Sequence, residues 1–418
     1  MKTFKITIIC LLFSTFIIDG NCQIIQKNGS VYDEVATIIS NLPGSSGDDY
    51  KAPSLSQLNT WHHMLNNVFS GNYNEASDSA NTIGYELIHL MDTSFLPSRT
   101  YYILETIDSN YWGTYVYYPD YCRPIVIQSP HSKRDTNTGH QGIWVFKATK
   151  AMFYYVNGTH RCNSSIYTSC TGTTTGCSSS SEPYRISDLA HETLSVFQKT
   201  TEILFNNFAN AHFIQLHGFS KLSTDPYVVL SNGTQITPTP DYLSVFKTNL
   251  FDADPSLTFK IAHIDISWTR LRGFFNVQGR LINTSPNTCN ANATTTNGRF
   301  FHVEQEKTKL RNDSTGWNKI VYAVSKTFPC NTTSTSPIIQ SDPIKIYPNP
   351  TTNSITIEST NEITTDDLNI YNQLGQNQNH LIYSSYENPN KVIVNMNNLP
   401  SGFYILRVKS ATSKVYKQ

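Results

Sequence analysis

The sequence carries no net charge: 31 lysines and arginines stand against 31 aspartates and glutamates, and only 15% of residues are charged. That balance excludes the strongly basic surface expected of a nucleic-acid or anionic-membrane binder. Beyond Ile18 no apolar run is long enough to span a bilayer, so an integral membrane protein is not expected. No GxSxG elbow and no phosphate-binding P-loop occur, and no serine or cysteine nucleophile set stands out. His191-Glu192 opens a zinc-helix motif, but Ser195 stands where the second histidine is needed.

The first 22 residues read as a signal peptide. Lys2 and Lys5 supply its positive start, Ile6 to Ile18 its apolar run, and Gly20 and Cys22 the small residues before a cleavage at Gln23. A lipid anchor on Cys22 is the alternative; Asp19, Gly20 and Asn21 make a poor lipobox, which favours a soluble product. Six cysteines remain after the leader, and an oxidising compartment suggests disulfides. The expected bridges are Cys289 with Cys330 and one within the loop from Cys162 to Cys177. A structural metal site on Cys162, Cys170 and Cys177 is the weaker reading.

Helical spacing of Trp61, Met64, Leu65 and Val68, with Ser54 or Ser56 as cap, predicts a helix from Ser54. Ala80, Ile83, Leu87, Leu90 and Met91 predict a second one. Strands follow at Tyr101–Thr106, Thr114–Tyr118 and Pro124–Gln128. A helix is expected from Ser187 to about Phe208, then strands at Phe213–Leu216, Leu257–Asp265 and Phe300–Glu304. Strands alternating with helices indicate an α/β sheet of mixed direction, flanked by helices, over residues 23–330. A Thr/Ser/Pro-rich linker covers 331–342. Short strands with turn residues between them then predict an all-β sandwich over 343–418.

This last stretch carries Tyr347-Pro-Asn-Pro350, then Asn369-Ile-Tyr-Asn372 followed by Gly375, then Leu399-Pro-Ser-Gly-Phe-Tyr-Ile405, with Lys414 to Lys417 at the end. It resembles the C-terminal sorting domain of type IX secretion substrates. The resemblance implies engagement of the type IX secretion machinery and release from, or attachment to, the outer surface of a Bacteroidota-type cell.

Three segments place metal-competent residues at the ends of predicted strands, where ligands gather in open α/β sheets. They are Ile125-Val-Ile-Gln-Ser-Pro-His131-Ser-Lys-Arg-Asp135, Phe213-Ile-Gln-Leu-His217-Gly218, and Phe300-Phe-His-Val-Glu304-Gln-Glu306. His131, Asp135 and His217 form a two-imidazole, one-carboxylate set suited to a catalytic Zn2+. His140 is a rival for Asp135. Glu304 is the candidate general base, with Glu306 as its rival. Arg161 and Asn163 are candidates for holding a substrate carboxylate, alongside Arg270, Arg272, Arg280 and Arg299. His263 and Asp265 are candidates for second-layer support.

Pro-His131-Ser and Leu-His217-Gly resemble the metal segments of N-formylglutamate amidohydrolases, which share a phosphorylase/hydrolase-like α/β fold with zinc carboxypeptidases. The resemblance implies hydrolysis of an amide in a small-molecule or peptide substrate, with a strand-borne glutamate as base. The carboxypeptidase carboxylate sits three residues after the first histidine, and here that position is Arg134. The alternative from another class is a non-catalytic cell-surface module that binds a glycan or partner.

Overall fold

The computed structural model describes residues 24–330 and 344–418, apart from 360–361, 365–366, 373–375 and 409–410. The expected leader (1–22), the linker (331–342) and Gly375 lie outside the described residues. The described residues divide into two compact units: those from 24 to 328 except 204–211, and the C-terminal ones, with which 204–211 are grouped.

In chain order the first part carries β1 (Ile25–Gly29), β2 (Tyr85–Asp92), β3 (Arg99–Thr106), β4 (Thr114–Tyr117), β5 (Arg123–Ser129) and β6 (Ala151–Val156). A small antiparallel pair, β7 (Thr173–Thr174) and β8 (Glu182–Pro183), follows. Then come β9 (His212–Gly218), β10 (Val228–Ser231), β11 (Phe259–Ile261) and β12 (Phe300–Gln305). The helices are α1 (Val31–Asn41), α2 (Leu55–Ser70), α3 (Tyr73–Asn81), α4 (Thr138–Thr149), α5 (Val196–Asn207), α6 (Tyr242–Ala253), α7 (Val277–Ile282) and α8 (Ser314–Thr327).

Ten strands form one sheet in the order β1-β2-β3-β4-β6-β5-β9-β12-β10-β11. Its central four, β6, β5, β9 and β12, run parallel, and antiparallel pairs lie to either side. The mixed α/β sheet flanked by helices is as the sequence indicates. The four parallel strands deliver their carboxyl ends to one edge.

Alternation along these strands decides what each face does. Ile214 and Leu216 of β9 and Phe301 and Val303 of β12 join a core with α1, α4, α6 and α8. Each such side chain contributes about 1.5–3 kcal/mol by leaving water. The intervening residues, Gln215, His217, His302 and Glu304, therefore point to the opposite face. Helix α2 packs on that face through Trp61, whose ring meets Tyr85 and Tyr115 and whose Nε1 donates to Thr200 at 2.9 Å. A capping box starts α2, Ser54 Oγ accepting from Gln57 N–H at 3.2 Å and Gln57 Oε1 accepting from Ser54 N–H at 2.9 Å.

Two helices expected from periodicity are corrected. Leu87, Leu90 and Met91 lie on strand β2, not on a helix. Their spacing imitates a helical stripe, but Gly84, at φ +76°, ends α3's run and the segment pairs with β1 and β3. The helix expected from Ser187 begins at Val196, after turns, with Ser195 Oγ accepting from Gln198 N–H. The strand expected at Leu257–Asp265 is reduced to Phe259–Ile261, because Asp265 folds back to accept from Ile261 N–H at 2.8 Å. Cys162 pairs with Cys177 as expected, whereas Cys289 pairs with Cys170 and not with Cys330.

The C-terminal unit has strands β13 (Lys345–Tyr347), β14 (Ser354–Glu358), β15 (Leu368–Tyr371), β16 (Tyr383–Asn388), β17 (Lys391–Asn395), β18 (Gly402–Val408) and β19 (Ala411–Lys417). They form a four-stranded sheet, β13-β14-β17-β16, and a three-stranded one, β15-β18-β19. Ile355, Ile357, Val392 and Val394 of the first and Ile370, Leu406 and Val415 of the second share one core. This is a small all-β sandwich.

Candidate metal centre

The chain leaves β5 through Pro130 into a tight turn in which His131 O accepts from Asp135 N–H at 2.8 Å. Residues four apart on such a turn share a side, so Asp135 and not Arg134 faces the histidine. His217, near the end of β9, completes the trio. Asp135 Oδ2 lies 3.3 Å from Nδ1 of His131 and 3.3 Å from Nδ1 of His217. Glu304 lies beside His217 on β12, in register with it. All four side chains are buried, and all line one cavity of about 340 Å³.

The other ring nitrogen of each histidine is firmly held. His131 Nε2 contacts Asp188 Oδ1 at 2.8 Å, and that oxygen also accepts from His191 Nδ1 at 2.9 Å. Burial opposes the Asp188 charge, yet Arg161, His191 and His131 around it hold the carboxyl well below its ordinary range. It therefore only accepts, and His131 carries a proton on Nε2.

His217 Nε2 contacts Gln215 Oε1 at 2.7 Å, and the backbone fixes which end of Gln215 is which. Leu189 O accepts from Gln278 Nε2 at 2.8 Å, leaving Gln278 Oε1 to accept from Gln215 Nε2 at 3.1 Å. From the other side, Gly279 N–H donates to Asn276 Oδ1, so Asn276 Nδ2 donates to Gln215 Oε1. Two backbone groups thus orient the amide so that its oxygen faces His217. Burial holds the His217 pKa down at about 4, so the ring is neutral. Its proton is on Nε2, and Nδ1 presents a lone pair to the Asp135 carboxylate.

Two acceptors face each other across 3.3 Å with no proton between them. Donors about 2.0–2.1 Å from a tetrahedral zinc stand about 3.3–3.4 Å from one another, so the spacing fits an ion shared by the three side chains. The electrostatics agree. Burial and the nearby Arg161 oppose charging His131, but Asp188 and Asp135 outweigh them and raise its pKa. The spot attracts positive charge.

Three groupings of potential ligands exist among the described residues. His131 with Asp188 and His191 is a hydrogen-bonded set in which both imidazoles donate to one carboxylate. His217 with His302 and Glu304 reuses the His217 ring, but Nδ1 of His302 and Oε2 of Glu304 are buried without a hydrogen-bond partner. Burial, then the Asp135 charge, pushes the Glu304 carboxyl up to about 8. Gly273, at φ +65°, lets a loop backbone lie against His302; a Cβ there would fall 2.8 Å from the imidazole ring.

The remaining candidates are placed as follows. Arg161 lines the cavity but is paired with Asp188. Asn163 lies outside the cavity lining, its amide tied to Gly44 O, Ser46 O and Asp49. Glu306 caps the next turn, accepting from Thr308 and Lys309 N–H. Arg270 pairs with Asp225, and Arg280 is enclosed by carbonyls including Cys289 O at 2.6 Å. Arg272 lines the cavity. His140 is on α4 and does not line it, and His263 is bonded to Asp241 at 3.0 Å. Sequence reasoning missed Asp188, Gln215 and Gln278. Asp188, three residues before His191, was the one detectable signal.

Residues 345–418 match the family model described as "Secretion system C-terminal sorting domain". The C-terminal unit is a secretion sorting domain. It marks the protein as exported to the cell surface or beyond, and it implies the type IX machinery as partner. No helix among the described residues is long and apolar enough to cross a membrane. No curated protein matches the chain. Among solved structures, N-formylglutamate amidohydrolase from Ralstonia eutropha JMP134 is similar at 9% identity, covering 50% of this chain and 93% of that one, with a TM-score of 0.30.

Proposed function

We propose that the sorting domain exports a zinc-dependent hydrolase that cleaves an amide bond in a carboxylate-bearing substrate. The observation that carries this reading is the Nδ1 lone pair of His217, locked by Gln215 and aimed at the Asp135 carboxylate. Two imidazoles and one carboxylate are a donor set that suits zinc and leaves a coordination position open. His131, Asp135 and His217 would hold the ion. When bound there, zinc polarises a carbonyl and lowers the pKa of water towards about 7.

The chain's own groups supply the rest. Asp188 and Gln215 fix the ring orientations and keep both Nδ1 atoms turned inward. Glu304, whose Oε2 has no protein partner, takes a proton from the attacking water and passes it to the leaving nitrogen. Burial and the Asp135 charge raise its pKa, and a cation held beside it would act against that shift and favour the carboxylate that a base needs. Arg161 lines the cavity and holds Asp188 ionised.

Elemental mass spectrometry of the exported protein, beside a His131→Ala/His217→Ala double variant, tests the assignment. The parent is expected to hold about one zinc per chain and the variant none. A folded parent that takes up no zinc when supplied with it would point instead to a binding module.

A further inference from the structure

The His131 ring is held by Asp188, and Asp188 in turn is held from a disulfide loop. The two carboxylate oxygens divide the work. Oδ1 meets His131 Nε2 at 2.8 Å and His191 Nδ1 at 2.9 Å, while Oδ2 accepts from Arg161. Arg161 directly precedes Cys162, which is bridged to Cys177 across 15 residues. The guanidinium has little besides Asp188 to aim it, because its Nε is buried without a hydrogen-bond partner. Its position therefore depends on the backbone around it.

The bridge fixes that backbone from two sides. On one, Arg161 O accepts from Ser187 Oγ at 2.8 Å and Cys162 O accepts from Arg185 at 3.2 Å, which ties the strand end to the turn carrying Asp188. On the other, Cys177 brings the end of the loop back over the guanidinium, so that a Cβ added to Gly176 would stand 3.8 Å from Arg161 Cζ. Thr174, whose Oγ1 accepts from Gly176 N–H at 2.9 Å, lines the cavity. The second bridge, Cys170–Cys289, pins a different part of the same loop. There Cys289 O accepts from Thr171 N–H at 3.2 Å and from Arg280 at 2.6 Å.

We propose that Arg161 is a positioning residue for the candidate metal centre and that the Cys162–Cys177 bridge sets it, so that the site reaches full metal affinity only in the oxidised chain. The consequence for metal rests on the hydrolase reading; the hold on the His131 ring does not. The bridge closes by thiol–disulfide exchange. One thiolate attacks a disulfide of a partner protein in the export compartment, and the other displaces that partner from the mixed disulfide. The partner leaves as a dithiol with the two electrons and two protons. A chain whose Cys162 and Cys177 are still thiols keeps its metal site incomplete.

The proton on His131 Nε2 reads the positioning without any metal. In the metal-free exported protein with 15N-labelled histidine, its NMR line is expected downfield and slow to exchange with water, and it is assigned by its absence in His131→Ala. Two variants are expected to broaden that line: Cys162→Ser/Cys177→Ser, and Arg161→Met with all bridges intact. Each is also expected to weaken zinc about 10- to 100-fold in competition with a chromophoric chelator, as for loss of an outer partner of a metal-bound histidine. Combined, they are expected to cost no more than either alone, since both act through one contact. Cys170→Ser/Cys289→Ser opens a far longer loop, 119 residues, and costs more general stability, yet is expected to keep both line and affinity. The reverse order, with the Cys170/Cys289 variant losing more, would overturn the proposal. So would an unchanged line and affinity in Arg161→Met, which decides the matter should the Cys162/Cys177 variant not fold. A parent that takes up no zinc ends the hydrolase reading and the metal consequence with it, while the NMR line still decides whether the bridge and Arg161 hold His131.

Discussion

On β9 and β12 the odd and even side chains live in different chemical worlds. Ile214, Leu216, Phe301 and Val303 pack into an apolar core, while Gln215, His217, His302 and Glu304 build a polar network on the other face of the same backbone. The apolar face needs only volume and hydrophobicity, and many substitutions of similar size would serve. The polar face is specified group by group, because each buried donor or acceptor must meet a defined partner. Stability and chemistry are therefore separable within one strand, and substitutions at neighbouring positions should show it.

The largest effect is expected from Glu304→Gln. It removes the proton acceptor but keeps the shape of the side chain, so kcat should fall about 10²- to 10⁴-fold. Zinc stoichiometry should stay the same, since Glu304 is not among His131, Asp135 and His217. Loss of zinc together with activity would show that Glu304 is a ligand instead. On the opposite face, Leu216→Ala should cost about 2–5 kcal/mol of stability in a denaturant titration. Zinc content of the folded fraction should not change. If Leu216→Ala lost its metal while still folded, the two faces would not be independent.

A smaller effect tests the amide chain that orients His217. Gln278→Leu removes one anchor of Gln215 and leaves two, Asn276 on its oxygen and Gln128, which accepts from Gln215 Nε2 at 2.8 Å. Zinc affinity, read by competition with a chromophoric chelator, should fall about 10- to 100-fold. Zinc should also raise the melting temperature of the parent more than that of the variant, because binding to the native state alone stabilises it. An unchanged affinity would mean that the Gln215 orientation does not set the His217 tautomer.

How much of this was legible in the sequence follows the same division. The strands ending in His131, His217 and Glu304 could be read because apolar runs stop where a polar residue and a turn begin. Asp135 was legible only as a neighbour of His131; that it and not Arg134 faces the site depends on the turn. The Gln215–Gln278–Leu189 chain joins residues far apart in sequence and leaves no periodic trace. Strand β6, Ala-Met-Phe-Tyr-Tyr-Val, is buried on both faces, so no alternation marks it. Strand β2 was misread because Leu87, Leu90 and Met91 fall at helical spacing. The partner of Cys289 was beyond sequence, as six cysteines permit fifteen pairings.

The smallest effect expected lies where the strand ends meet. Arg311 is buried, and its guanidinium donates to Gln305 O at 3.0 Å and Thr136 O at 2.5 Å, with Phe219 O at 3.5 Å. Those carbonyls belong to the segments that directly follow Glu304, Asp135 and His217. Gly218 makes room for it, since a Cβ there would fall 2.2 Å from the guanidinium carbon. Arg311 is thus a positioning residue that ties the ends of the polar face together without touching the cavity. Lysine keeps the charge but has no planar fork to span three carbonyls. Arg311→Lys should therefore retain zinc and lower kcat about tenfold, with KM little changed, because misplacing the base affects the reacting geometry more than binding. The visible spectrum of the cobalt-substituted variant should shift with it, reporting the changed arrangement of His131, Asp135 and His217. A lower melting temperature with an unaltered spectrum and kcat would reduce Arg311 to a structural role.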